Sequence, residues 1–158
     1  MAERAAPASL HLPQVPCGMK GQRSAASAIE HHSFQGQPCI RLALPRGDTV
    51  IVALHGAQVL SWQSGGRERL YLSPRALFDG RSAIRGGVPV CFPQFNARGT
   101  LPKHGFARTL PWALVPRLVA GASPPGSDDG AQVCLQLCAT DGTRALWPYA
   151  FEAVLTVS

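Results

Sequence analysis

The clearest strand pattern in the chain runs from residue 39 to residue 73, CIRLALPRGDTVIVALHGAQVLSWQSGGRERLYLS. Apolar and polar residues alternate in CIRLALP (39–45), and DTVIVALHG (48–56) is a β-branched run that ends at a glycine. AQVLSWQ follows, and the turn SGGRE then leads into the short strand predicted at RLYLS. Alternation, β-branched residues and glycine-rich turns at these intervals indicate a meander of antiparallel strands.

The remainder of the chain continues the strand pattern. LPWALVPRLVA (110–120), AQVCLQLCAT (131–140) and YAFEAVLTVS (149–158) read as further strands, separated by a polar loop at 121–130 and by a turn at DGT (141–143). The 16 glycines and 14 prolines favour many turns and few long helices. We therefore predict an all-β fold, a sandwich or a related stack of sheets.

The length of 158 residues suits one domain. We expect residues 1–37, which are rich in Ala, Ser and Pro, to form a poorly ordered N-terminal extension, and residues 38–158 to form the sandwich. The segment FEAVLTVS alternates up to the last residue, with no partner strand after it. Since an unpaired edge strand is an aggregation liability, we expect a sandwich truncated at its C-terminus.

The charge balance favours an anionic ligand. Fifteen Lys and Arg oppose nine Asp and Glu, and only Lys20 and Lys103 are lysines. The planar fork of arginine suits phosphate or carboxylate, although genomic codon bias explains the same preference equally well. The five cysteines are odd in number and irregularly spaced, which predicts buried thiols in a reduced, cytoplasmic protein.

No metal, membrane or nucleic-acid partner is expected. The pair His31 and His32 precedes the first predicted strand with only Glu30 as a nearby acid, which is too little for a metal site. The apolar runs are too short to span a membrane. A nucleic-acid-binding β-domain is a weak alternative, because aromatics make up only 7% of the chain and the basic residues are scattered.

One long segment breaks the strand pattern: RSAIRGGVPVCFPQFNARGTLPKHGFART, residues 81–109. A loop of this length inside a compact domain is usually functional or disordered. Seven apolar residues spread through it indicate that it is packed, and we therefore interpret it as a binding loop. They are Ile84, Val88, Val90, Phe92, Phe95, Leu101 and Phe106.

The polar groups of this loop suit a small phosphorylated ligand. Arg85 precedes Gly86 and Gly87, whose backbone could approach a ligand and offer N–H donors, while a second basic group surrounds Gly105. This second group comprises Lys103, His104 and Arg108. Alternatively, the arginines pair with acids such as Asp79, and the glycines serve turn geometry alone. His104 is either a structural histidine or a group that bonds a sugar hydroxyl or transfers a proton.

The motifs AIRGGVPVCFPQF and LPKHGFART, followed by PW, strongly resemble those of the glucose-6-phosphate 1-epimerases, or hexose-6-phosphate mutarotases, of the aldose 1-epimerase superfamily. HGAQVLSWQ, LYLSPRALFDG and LWPYAFEAVLTVS resemble the flanking strands. The resemblance runs from about residue 38 to the end. It implies a β-supersandwich and interconversion of the α and β anomers of a hexose 6-phosphate by acid–base ring opening, with no cofactor.

The resemblance also implies roles for single residues. Arg85 and Arg108 match the family arginines that bind substrate, chiefly its phosphate, and His104 matches a histidine that lines the sugar site. Lys103 matches a further position at the substrate, where relatives often have glutamine. The principal catalytic histidine and glutamate of the family would lie beyond Ser158, so we expect no catalytic residue here and little or no activity from the chain alone. A non-catalytic sugar-phosphate module and an epimerase of neutral sugars stay as alternatives.

Overall fold

Two antiparallel β-sheets make up the structure, a computed structural model that describes residues 28–115 and 131–158. The first sheet contains five strands in sequence order, β1 (Ala28–Phe34), β2 (Gln37–Ala43), β3 (Thr49–Ala53), β4 (Val59–Ser64) and β5 (Arg67–Glu68). The second contains β6 (Ala113–Val115), β7 (Val133–Cys138) and β8 (Glu152–Val157), with β7 in the middle. A 3-10 turn at Ala107–Thr109 and one short helix, α1 (Asp141–Leu146), complete the described elements.

The meander predicted for residues 39–73 is confirmed for β2, β3 and β4, and tight turns set its register. The short strand predicted at RLYLS is wrong: β5 lies at Arg67–Glu68, inside the predicted turn, and Leu72 makes only an isolated bridge. Gln35 and Gly36 connect β1 to β2, and Gly65 and Gly66 connect β4 to β5. All four have positive φ, between +48° and +82°. Two-residue turns with positive φ at both positions match the right-handed twist of the strands that they join.

The central strands of the five-stranded sheet contribute buried side chains to both faces. On one face, Ile40, Leu42 and Val52 pack with Leu135 of β7, so that this face meets the second sheet. On the other face, Cys39, Ala53 and Leu60 form a second buried cluster with Ile84 and with partly buried side chains from the 72–78 stretch. Successive residues of a strand point to opposite faces, so neighbours such as Cys39 and Ile40 belong to different buried clusters.

The N-terminal extension predicted for residues 1–37 is wrong for residues 28–37. β1 pairs with β2 along its whole length, from Ala28 opposite Ala43 to Phe34 opposite Gln37. Phe34 packs on the second buried cluster, and the Gln37 amide donates a hydrogen bond to the Phe78 carbonyl, which together anchor the hairpin. The histidines of IEHHSF therefore lie within a strand and not before it. Residues 1–27 lie outside the described part of the chain.

The turn predicted at DGT is instead the first turn of α1. Thr140 is its N-cap: the Thr140 hydroxyl accepts a hydrogen bond from the Thr143 N–H, and the Thr143 hydroxyl accepts one from the Thr140 N–H. This reciprocal capping box satisfies N–H groups that the helix leaves without partners. A helix of six residues has too little apolar periodicity to be visible in the sequence.

The prediction of buried thiols holds for two of the four described cysteines. Cys39 and Cys134 are buried, Cys91 is partly exposed and Cys138 is exposed; all four are free thiols. Burial raises the pKa of Cys39 to about 11, which keeps that thiol protonated at neutral pH. Cys138 is the last residue of β7, and its side chain is exposed. Alternation along VCLQLC places it on the opposite face from the buried Leu135 and Leu137. Within the described ranges, no helix is long and apolar enough to cross a membrane.

Candidate functional site

The 81–109 segment is a packed loop that joins the two sheets. Apart from the 3-10 turn, single β-bridges tie it to its surroundings, including Val88 to Val59 and Gly86 to Leu72. Ile84 and Phe106 are buried, which confirms that the loop is packed. Its apolar residues are not all interior, however, since Val88 and Phe95 are more than half exposed.

Gln58 builds the turn that presents Arg85. This glutamine is fully buried, and its side-chain amide donates hydrogen bonds to the Ile84 carbonyl (3.0 Å) and to the Gly86 carbonyl, on either side of Arg85. The Arg85 carbonyl accepts a hydrogen bond of 3.0 Å from the Ser73 N–H. With its backbone held from both directions, Arg85 extends an exposed side chain.

Gly86 and Gly87 are required by close backbone contacts. A Cβ at position 86 would lie 2.5 Å from the Tyr71 oxygen, and one at position 87 would lie 2.1 Å from the Val59 oxygen. The Gly87 N–H donates to the Tyr71 carbonyl at 2.8 Å, so it is not offered to a ligand. The alternative that these glycines serve turn geometry is therefore favoured over an anion cradle made by Gly87.

The second basic group stands on a loop organised by the Phe92 carbonyl. The Phe106 and Ala107 N–H groups both donate to this oxygen, at 3.0 and 3.2 Å. Gly105 lies so close that a Cβ there would be 2.1 Å from the same oxygen. The preceding residue, His104, has a positive φ of 67°, which turns its side chain back over the loop.

His104 is held by three neighbours. Its backbone N–H donates to the Asn96 carbonyl at 2.9 Å, and its ring Nδ1 accepts from the Asn96 N–H at 3.2 Å. The Cys91 sulfur lies 3.3 Å from the same Nδ1. The Phe95 ring meets the imidazole edge to face, with 5.1 Å between ring centroids. These contacts place Nδ1 inside the loop and leave Nε2 without a partner among the described residues.

Lys103 and Arg108 flank this histidine. A terminal nitrogen of Arg108 donates to the Lys103 carbonyl at 2.8 Å, which closes the loop around His104. The Arg108 Nε is buried and has no hydrogen-bond partner in the described part of the protein. A buried N–H without a partner is costly.

No described carboxylate neutralises these cations. The ion pairs found in residues 28–115 and 131–158 join Arg41 to Glu30 and Arg46 to Asp48. Asp79, the acid suggested as a partner for the arginines, instead accepts hydrogen bonds from the Arg81 and Ser82 backbone N–H groups. The competing interpretation, in which structural ion pairs explain Arg85 and Arg108, has no support from these contacts.

Desolvation and two neighbouring positive charges lower the pKa of His104. Desolvation lowers the pKa of this imidazole below its ordinary value of 6.5, and the positive charges of Arg108 and Lys103 lower it further. At neutral pH the ring is therefore neutral. Because the Asn96 N–H can only donate, Nδ1 must be the unprotonated nitrogen, and the ring proton resides on Nε2.

Three of the four predicted site residues come together, and one stands apart. Lys103, His104 and Arg108 share one loop, while Arg85 lies on the turn held by Gln58, with no hydrogen bond or ion pair to the other three. The functional groups are a guanidinium, an ammonium and an N–H. All are donors, so the loop suits a ligand rich in acceptor oxygens, such as a phosphate or a sugar.

The remaining histidines of the described chain are placed differently. His55 is buried, and its Nε2 lies 2.9 Å from the Ser82 carbonyl, which makes it a structural residue beneath the loop. His31 and His32 lie on β1. No group of three or more His, Cys, Asp or Glu suited to a metal ion occurs in the part of the chain that the structure describes.

Sequence reasoning missed the glutamines that build the site. Gln58 contacts the turn 26 and 28 residues downstream, a distance that no local pattern reveals. Gln94 makes several hydrogen bonds within the loop. Its position between Pro93 and Phe95, in an otherwise apolar run, is the signal that could have drawn attention to it.

The profile of the aldose 1-epimerase family matches residues 38–158, more than three quarters of the chain. Two curated relatives, each named "Putative glucose-6-phosphate 1-epimerase", are similar in sequence. The Salmonella typhimurium protein is 42% identical over 102 residues, which cover 63% of this chain and 32% of that protein. The Cenchrus ciliaris protein is 40% identical over 111 residues, which cover 68% and 32%. The chain thus spans about a third of the length of these relatives.

A solved structure shows the same fold. The Salmonella typhimurium protein described as a "putative mutarotase" superposes with a TM-score of 0.66 and 35% identity, over 81% of this chain and 42% of that one. The predicted all-β, mutarotase-like sandwich is therefore confirmed, as is the resemblance seen in the motifs of the 81–109 segment. By the profile match, the sequence similarity and the fold, the chain belongs to the aldose 1-epimerase family.

Proposed function

We propose that this chain forms part of a hexose 6-phosphate site and that the protein to which it belongs interconverts the α and β anomers of that sugar. The observation that carries the proposal is the group of Lys103, His104 and Arg108, three donors on one loop with no described carboxylate beside them. The relatives named as glucose-6-phosphate 1-epimerases support the choice of a phosphorylated hexose.

The chemistry assigns each group a task. Anomer exchange needs a base that removes the proton from the anomeric hydroxyl and an acid that protonates the ring oxygen; the ring opens, the C1–C2 bond rotates and the ring recloses. We assign the phosphate to Arg108 and also to Arg85, which would have to reach it from the separate turn held by Gln58, since guanidinium groups bind phosphate oxygens with paired hydrogen bonds. Lys103 and His104 contact the sugar, with the His104 Nε2–H as a donor to a sugar oxygen.

Binding and turnover are expected to separate in this chain. We infer that the loop supplies binding groups and not the acid and base of the reaction, and losing one acid or base typically slows a reaction about 10²- to 10⁴-fold. We therefore expect that the chain binds glucose 6-phosphate but exchanges its anomers scarcely faster than buffer. NMR saturation transfer between the two anomers measures this directly. Rapid exchange by the chain alone would contradict the expectation.

The phosphate assignment is tested with single arginine variants. Arg85→Ala and Arg108→Ala should each weaken glucose 6-phosphate binding about tenfold or more, because a hydrogen bond to a charged group contributes about 1.5–3 kcal/mol. Binding of unphosphorylated glucose should change little. Calorimetric titration with both ligands provides the measurement.

Arg41→Ala is the matched control. It removes the same charge, but Arg41 is paired with Glu30 on the β1–β2 hairpin, an exposed ion pair of small energetic value. It should leave both affinities unchanged. Equal losses for glucose and glucose 6-phosphate in the Arg85 and Arg108 variants would show that these arginines serve the fold or a neutral sugar and not a phosphate.

A further inference from the structure

Gln94 ties together the two ends of the loop that precedes His104. Its side-chain nitrogen lies 3.0 Å from both the Asn96 and the Leu101 carbonyl oxygens and 3.3 Å from that of Pro102. Its Oε1 accepts a hydrogen bond of 3.3 Å from the Leu101 N–H. A Cβ at position 99 would lie 2.6 Å from this Oε1, so glycine there leaves room for the glutamine. One side chain thus closes the loop of residues 95–102.

The closed loop places the Asn96 backbone within hydrogen-bonding distance of His104. The Asn96 carbonyl, which accepts from Gln94, also accepts from the His104 N–H, and the Asn96 N–H donates to the imidazole Nδ1. The same peptide segment therefore fixes both the backbone and the ring of His104. Since a backbone N–H cannot accept, this contact admits only the tautomer that carries its proton on Nε2. The Cys91 thiol, 3.3 Å from Nδ1, is then a second donor to that nitrogen.

We propose that Gln94 is a positioning residue that, through Asn96, holds the His104 imidazole as an Nε2–H donor facing the ligand. A neutral imidazole in solution exchanges between two tautomers, and the hydrogen bond at one nitrogen decides which form is present. Gln94 thus converts a ring that could accept or donate into one that donates. The sugar oxygen as its target rests on the proposed function, whereas the tautomer itself does not.

The direct test is the ¹⁵N spectrum of the His104 ring in the whole chain without ligand, recorded above its pKa. In the wild-type protein, Nδ1 should show the shift of an unprotonated nitrogen and Nε2 that of a protonated one. Gln94→Ala should move both shifts toward the average of a ring that exchanges tautomers. Gln94→Glu should do the same or more, because a carboxylate of equal size would face the three carbonyls that the amide now bonds.

Gln37→Ala is the matched control. It also removes a glutamine whose amide donates to a backbone carbonyl, that of Phe78, but it lies at the β1–β2 hairpin. It should leave the His104 shifts unchanged. Unaltered ring shifts in both Gln94 variants would overturn the proposal, and so would a wild-type ring already exchanging between tautomers. Backbone amide spectra confirm that each variant is folded, and a Gln94→Ala chain that fails to fold leaves Gln94→Glu and the wild-type spectrum as the test.

The ligand measurement distinguishes this inference from the proposed function. If both hold, Gln94→Ala should weaken glucose 6-phosphate binding about three- to tenfold, the effect expected of one misplaced hydrogen bond. If the wild-type chain binds no sugar phosphate but the His104 ring exchanges between tautomers in Gln94→Ala, the proposed function fails and the positioning role stands. If the wild type binds and the tautomer does not respond, the positioning role fails alone.

Discussion

At the scale of single residues, the candidate site is defined by groups that lack their usual partners. Arg108 has a buried Nε with no acceptor among the described residues, and the exposed Arg85 makes no ion pair there. These unpaired charges affect His104: together with desolvation, the positive charges of Arg108 and Lys103 lower its pKa. A site that gathers cations and keeps its histidine neutral is prepared for an anion.

This arrangement predicts a coupling between Arg108 and His104. Desolvation is the largest cause of the lowered His104 pKa, and Arg108 is the next. Arg108→Ala should therefore raise the pKa of His104 partway toward 6.5, whereas Arg41→Ala should not alter it. The measurement is the NMR titration of the His104 ring between about pH 4 and 8. An identical midpoint in wild type and Arg108→Ala would show that the two groups do not interact.

The sequence predicted the charged residues of the site but not the residues that position them. Arg85, Lys103, His104 and Arg108 stand out because positive groups beside glycines are chemically conspicuous. Gln58 and Gln94 are equally important in the structure, yet glutamine is common, and its role follows only from which carbonyls its side chain reaches. A side chain whose partners are set by tertiary contacts produces no periodic pattern in the sequence from which its role could be predicted.

At the scale of elements, glycines allow the loop to lie against the five-stranded sheet. Gly87 contacts the Val59 oxygen with no room for a side chain, and its φ is +61°. The turn that presents Arg85 therefore depends on a position that only glycine fills without strain. A substitution that destabilises this turn should therefore also displace Arg85.

Gly87→Ala should destabilise the protein by roughly 2 to 5 kcal/mol, combining left-handed backbone strain with a steric clash. Gly66→Ala is the control that separates these causes: Gly66 has a similar φ of +71°, but a Cβ there would meet nothing within 4 Å. It should cost only about 1–2 kcal/mol. Urea unfolding of both variants gives the comparison, and equal losses would mean that the close contact with Val59 has no energetic weight.

Asp79, just before the loop, should make the stability of the protein depend on pH in the acid range. Asp79 accepts hydrogen bonds from the Ser82 and Arg81 N–H groups, in that order of effect, and these lower its pKa from 3.8 to about 2. A carboxyl with a depressed folded-state pKa contributes stability that is complete above the unfolded value of 3.8 and is lost as the pH falls toward 2. The contribution therefore disappears between about pH 4 and 2.

Asp79→Asn removes this titration. The difference in urea midpoint between wild type and variant should be constant above about pH 5 and should shrink as the pH falls toward 2. Taking the difference cancels the other acids with lowered pKa values, Asp48 and Glu68. A difference that is independent of pH down to 2 would show that Asp79 does not cap the turn in solution.

Elements with strong local signals were predicted, and those with weak signals were not. β2, β3 and β4 alternate or carry β-branched runs, and the turn at Gly65 and Gly66 is conspicuous. β1 was missed because IEHHSF is mostly polar and exposed, and it depends on pairing with β2. α1 was missed because two threonines define it, and a threonine pair is also ordinary in turns.

At the scale of the whole molecule, two sheets enclose one core, and the loop of residues 81–109 crosses from the first to the second. The loop is packed against the sheet by Ile84 and against the shared core by Ala107. The chain spans about a third of the length of its curated relatives. We propose that this loop recognises the phosphate and the sugar together.

The most direct test is an NMR titration of the wild-type chain with glucose 6-phosphate, glucose and inorganic phosphate, observing the side-chain nitrogens of His104 and Arg108. Glucose 6-phosphate should shift both signals at concentrations where neither glucose nor inorganic phosphate alone has a comparable effect. Identical responses to glucose 6-phosphate and to inorganic phosphate, with His104 unmoved, would contradict a hexose 6-phosphate site.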